Sequence, residues 1–88
     1  MSRLLPRDHV RLLSSEHGAV LLDTSHGQFY GLNPAGAIAW TALASGGDRE
    51  DAVAAVVAHF DIDDSTVRRD VDDLVALLLT HGLIEAAP

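Results

Sequence analysis

The segment GQFYGLNPAGAIAW, Gly27 to Trp40, constrains this chain more than any other, because it runs a strand directly into a capped helix. Gln28 to Leu32 has the aromatic, extended character of a strand, and Gly27 supplies a turn before it. Asn33 offers a side-chain oxygen to the unpaired amides of a helix start. Pro34 fits the first helical position, where its missing N–H would have had no partner. A short strand locked to a helix in this way holds an open sheet edge beside a helical groove. Such an arrangement suits gripping an extended peptide better than it suits chemistry.

The rest of the chain supplies what this junction needs. His9 to Leu13 reads as a first strand, followed by the turn-rich SSEHG at 14–18. Ala19 to Asp23 is the most apolar strand, which places it centrally with both faces covered. Thr24 to Gly27 makes a tight connection to Gln28–Leu32, so the first and third strands are the edges of a meander. Three helices follow. The first runs from Pro34 to about Ala44, with Ile38, Trp40 and Leu43 as its large apolar residues, and stops at Gly46-Gly47. The second has Asp48 as N-cap and Asp51 at its third position. Its inward stripe is Val53, Val56, Val57 and Phe60. The third begins near Asp63 or Asp64 and ends at His81. There Gly82 supplies a left-handed cap and Leu83 the accompanying apolar contact. Strands first and helices second predict an α+β domain, a three-stranded antiparallel sheet with the helices packed on one face.

Eighty-eight residues that are 48% apolar make one domain spanning residues 1–88, with one compact core. Without cysteine the fold rests on packing alone. The opening MSRLLPRDHV lacks the apolar core of a secretory signal, and no apolar run reaches the roughly 18 residues of a membrane span. A soluble, cytoplasmic protein is expected. The net charge of −7 is uneven: residues 1–47 balance to zero, and the whole excess falls after Gly47, mostly in Asp61–Asp73. That field repels nucleic acid and anionic membranes and favours a neutral or basic partner, or else serves only solubility.

Motifs for chemistry are poorly supported. The serines at 14, 15, 25, 45 and 65 sit in turns or caps, none in a nucleophile elbow, so no enzyme activity is expected. The histidines at 9, 17, 26, 59 and 81 never pair at the three- or four-residue spacing that puts two metal ligands on one helical face. Asp61-Ile62-Asp63-Asp64-Ser65 opens like a calcium loop. It fails at its sixth position, Thr66, and has Asp72 where a glutamate is usual. The second and third helices could form a helix-turn-helix, but Asp63, Asp64, Asp70, Asp72 and Asp73 surround Arg68 and Arg69 and oppose phosphate contact. Neither cofactor nor metal is implied.

The third helix carries two apolar stripes. Val67, Val71, Leu74 and Leu78 form one, while Val75 and Leu79 continue a neighbouring line that starts with Arg68 and Asp72. Leu74, Leu77 and Leu78 are expected in the core. Val67 and Val71, near the open end, divide evenly between core and the wall of a groove against the third strand.

The order of these features resembles the PqqD-like family of peptide-recognition domains. The likeness rests on AVLLD at 19–23, then Gly27, Leu32 and Asn33, then Ile38 and Trp40 in the first helix. GGDRED, the pair Asp70-Val71 and the closing HGLI at 81–84 complete it. The resemblance implies three strands followed by three helices, winged-helix-like, that bind a precursor's leader peptide as an added strand on the third strand. By position it places Gln28, Phe29, Tyr30, Gly31 and Leu32 along the bound strand, and Val67, Arg68, Val71, Asp72, Leu74 and Val75 at the helical wall. Period-two alternation turns one of Phe29 and Tyr30 to the core. Four or five main-chain hydrogen bonds, each netting roughly 0.5–1.5 kcal/mol, give modest binding. Buried apolar anchors at about 1.5–3 kcal/mol each supply the rest. Members serving quinone-cofactor synthesis, which partner a radical SAM enzyme, carry Pro-Glu before the third strand and a Cys-Asp-Gly-like element after the first helix. This chain has Ser25-His26 and Ala44-Ser45-Gly46 there. LNPAGAIAW and HGLI look more like the stand-alone RiPP recognition elements of lasso-peptide biosynthesis, whose partners are the leader, a leader peptidase and, through it, a macrocyclase. A small winged-helix DNA binder is the alternative of a different class.

Overall fold

The computed structural model describes residues 3–15 and 18–87; Glu16 and His17, part of the expected turn at 14–18, lie outside the described residues. Eight elements follow one another: β1 (Arg3–Pro6), β2 (Val10–Ser15), β3 (Gly18–Asp23), β4 (Gln28–Leu32), α1 (Pro34–Ala44), α2 (Arg49–His59), α3 (Asp64–Thr80) and β5 (Ile84–Ala87). Strands β2, β3 and β4 form an antiparallel three-stranded sheet in that order, with β2 and β4 as edges. This is the α+β meander that the residues predict.

Helix boundaries fall where the capping residues put them. Asn33 Oδ1 accepts from the Gly36 N–H at 2.7 Å, with Pro34 inside the first turn of α1. Asp48 and Asp51 each accept from the other's backbone N–H at 3.0 Å, a reciprocal box at the start of α2. Asp63 accepts from the Ser65 and Thr66 amides at the start of α3. At its end the Leu83 N–H reaches the Leu78 carbonyl and the Gly82 N–H that of Leu79, with Gly82 at φ 68°. That is the paired closure a left-handed glycine permits.

Paired residues of an antiparallel sheet share a face. The register Leu12↔Leu21↔Tyr30 and Ser14↔Ala19↔Leu32 therefore defines the inner face, and Leu13↔Val20↔Gly31 the outer one. Leu21 and Ala19 are buried under α1, which with Trp40, Leu43, Val53, Val56, Val71, Val75 and Leu78 builds the core. The outer face departs from expectation. Val20 and Leu22 are half-buried, not covered, and Leu13 is 50% exposed. Helix α1 packs on the inner side, and among the described residues β3 has no helix against its other face.

Two further departures concern elements. Residues 3–6 and 84–87 pair as a second, two-stranded antiparallel sheet, bringing Leu4 opposite Ala86 and burying Leu4 and Ile84. Arg7 and Glu85 bridge it at 3.1 Å. Leu77, expected in the core, is 46% exposed, and fully buried Val75 takes its place. The core arc of α3 is centred on Val67, Val71, Val75 and Leu78 and leaves Leu77 on a flank.

One buried carboxylate holds the β3–β4 connection. Asp23 accepts from the Ser25 amide at 2.9 Å, the His26 amide at 3.2 Å and His26 Nδ1 at 2.9 Å, with His9 Nε2 at 3.7 Å. Burial opposes its ionisation, but the His26 side chain and the two amides together outweigh that and hold its carboxyl below the usual range.

Candidate functional site

A groove of about 350 Å³ opens between the free edge of β4 and helix α3. Its strand side is Gly31, Leu32 and Asn33, and the first turns of α1 contribute Ala35, Gly36 and Ala39. Val56 of α2 and Val67, Val71 and Leu74 of α3 supply apolar surface, with exposed Ile62 and the carboxylates of Asp70 and Asp73 also at its border.

The β4–α1 junction makes this shape. The Asn33 cap turns the chain within one residue, so α1 starts beside the strand it leaves. Gly36 permits the approach, since a Cβ there would stand 3.2 Å from Asn33 Oδ1 and 3.6 Å from the Leu32 Cβ. Gly18 of β3 fixes the same corner. It sits at φ 139°, and a Cβ would fall 2.0 Å from the Leu32 carbonyl oxygen. Gly31 differs: it pairs in unbroken register with Val20, and a Cβ would meet nothing within 4 Å. It relieves no bulge and leaves the strand bare where the groove begins.

Of the residues the sequence points to, Gly31, Leu32, Val67, Val71 and Leu74 come together in the groove. Val67 and Val71 serve core and groove at once, being nearly fully buried while bordering it. Phe29 and Tyr30 divide as alternation requires. Phe29 is 63% exposed on the outer face. Tyr30 turns inward, its ring centroid 4.9 Å from that of His81, which ties β4 to the far end of α3. Gln28 is exposed opposite Asp23 at the hairpin end of the strand.

Three residues lie elsewhere. Val75 is wholly in the core. Arg68 donates to both carboxylate oxygens of Glu50 and lies 3.5 Å from Asp64, and Arg49 donates to Asp72 at 3.1 Å. Arg68 and Asp72 thus face α2. The Arg68–Glu50 hydrogen bonds hold the Glu50 carboxyl below its ordinary range and push the Arg68 guanidinium up. Asp70 and Asp73, which the sequence reading did not place here, occupy the groove flank instead. The signal was available: Asp70 is three residues after Val67 and four before Leu74, hence on their side of the helix.

A free strand edge carries unpaired N–H and C=O groups that pair with any extended chain laid along it. An apolar groove beside that edge receives every second side chain of such a chain. Among the described residues no group of three or more His, Asp or Glu side chains gathers as metal ligands would. No helix among them is long and apolar enough to cross a membrane.

Known proteins share this sequence pattern and this fold. The family described as coenzyme PQQ synthesis protein D, PqqD, matches residues 18–84. No curated protein sequence matches the chain. A solved structure of TbiB1 in complex with the TbiA(beta) leader peptide is 31% identical, with TM-score 0.80, over 91% of this chain and 93% of that one. A structure of lasso peptide synthetase B1 complexed with the leader peptide has TM-score 0.81 at 23% identity, over 94% of this chain and 98% of that one, and shows the shared fold.

Proposed function

The chain belongs to the PqqD family, and from that membership we propose that it is a non-catalytic module that binds the leader of a ribosomally synthesised precursor peptide. The leader adds as a strand to the outer edge of β4, its alternate side chains entering the groove against α3. The module then delivers the precursor to a leader peptidase and, through it, to a macrocyclase, in lasso-peptide maturation. The observation that carries this reading is the edge of β4, unpaired among the described residues, directly beside an apolar groove. The 31% identical TbiB1, in complex with a leader peptide, supports the choice of ligand.

Delivery needs no chemistry of its own. Holding a precursor near an enzyme raises its effective concentration, to the millimolar range for short flexible tethers. The DNA-binding alternative loses support because Arg68, at the start of the would-be recognition helix, is held by Glu50 and Asp64.

The test is a fluorescence-anisotropy titration of a labelled leader peptide from a neighbouring precursor gene. Saturable binding abolished by a proline in the paired segment supports strand addition. Absence of binding by the folded protein removes that leader as the ligand, and a parallel titration with the precursor of a quinone cofactor tests the radical-enzyme alternative.

A further inference from the structure

We propose that the groove selects peptides carrying one basic side chain, read jointly by Asp70 and Asp73. This rests on the peptide-binding reading above and adds to it the chemistry of the preferred ligand.

The two flanks of α3 differ in how their charges are met. Toward α2, Arg68 lies against Glu50 and Asp64, and Asp72 against Arg49, so each carboxylate named on that flank has a cation beside it. Toward the groove, Asp70 and Asp73 are exposed and form no ion pair among the described residues, although Arg69 stands one turn before Asp73. Part of the chain's net charge of −7 is therefore left uncompensated on the wall where a peptide would lie.

The spacing makes one cation sufficient. Residues three apart on a helix are about 4.5 Å apart along its axis and share a face, so one guanidinium or ammonium reaches both carboxylates. The floor between them and β4 is apolar, from Val67, Val71 and Leu74. A basic side chain can lay its methylene stem on that floor and keep its charged end at the rim. In an added strand only every second side chain enters the groove. The preferred ligand therefore has a Lys or Arg two positions from an apolar residue.

The experiment is selection of a displayed library of random 12-residue peptides on the wild-type protein and on D70N/D73N. Both substitutions are on exposed side chains, and the variant's fold is checked by circular dichroism and thermal melting. The proposal expects wild-type binders enriched in one Lys or Arg spaced two from an apolar residue, with that enrichment lost in the double variant. Replacing the basic residue of a selected peptide by Gln should weaken wild-type binding about two- to fivefold for each aspartate engaged, and leave D70N/D73N binding unchanged. Binders with no basic position, or a basic preference that survives in the double variant, would overturn the charge selection while leaving the groove as the peptide site. Failure to select any peptide on the folded wild type would remove the peptide-binding reading, and the charge selection with it.

Discussion

Single residues hold the corners of this molecule, and Asp23 is the most demanding of them. It is buried, yet four donors point at or stand near its carboxylate, two from the backbone of its own turn. Its folded pKa lies below its ordinary value of 3.8, so its contribution to stability is complete above that value and is lost as pH falls through the folded one. Asp23→Asn should lower the melting temperature at neutral pH and flatten its decline between about pH 5 and pH 2. A melting series across that range checks it; a decline as steep as in wild type would show that Asp23 does not carry the acid sensitivity. Gly18 offers a sharper case. Alanine there must relieve both a positive φ and a 2.0 Å approach to the Leu32 carbonyl. Gly18→Ala should cost at least about 1–3 kcal/mol in chemical denaturation. It should also weaken peptide binding, since Leu32 and Asn33 shape the groove.

At the scale of elements, α3 does three jobs on three sides. Val67, Val71, Val75 and Leu78 bury it in the core, Arg68 and Asp72 join it to α2, and Asp70, Asp73 and Leu74 face the groove. Leu78→Ala, at a fully buried position, should cost about 2–5 kcal/mol of stability. Leu77→Ala, on the exposed flank one turn past Asp73, should cost less than about 0.5 kcal/mol. Arg68→Ala and Asp72→Asn remove solvent-screened surface ion pairs and should leave the melting temperature nearly unchanged, with peptide affinity unchanged in a titration. A large loss of affinity in either would move the site to the α2 side. These assignments also mark where the sequence is silent. A helical repeat gives the angle between Val67 and Asp70 but not which flank lies against β4. The resemblance to a family carried Arg68 and Asp72 to the wall, while packing turned them to α2. The strand side needed no such choice, because the Asn33-Pro34 cap and the glycine before Leu32 state in local chemistry where β4 ends and how bare it is.

For the whole molecule, the order of three strands and three helices was legible because the helix boundaries are written in caps and turns, while β2 runs on through Ser14 and Ser15, which their turn-forming side chains had suggested for the loop. Asn33, Asp48, Asp63 and Gly82 each act where their side chain or φ preference says they should. The β1–β5 sheet was not legible. Its four-residue strands are too short for a period, and the pairing joins the two ends of the chain with no turn between them to announce it. It matters for stability, since Leu4, Leu83 and Ile84 are buried with it. Ile84→Ala should cost about 2–5 kcal/mol and lower the melting temperature by roughly 8 °C or more. The central claim, capture of an extended peptide on the edge of β4, is met most directly by amide hydrogen exchange read by NMR, with and without a bound leader peptide. Strand addition predicts that exchange slows at alternate amides of residues 28–32, with shifts spreading to 62–77 and leaving β2 unchanged. Protection of the β2 edge, or of the α2–α3 flank around Arg68, with β4 exchanging as before, would contradict it.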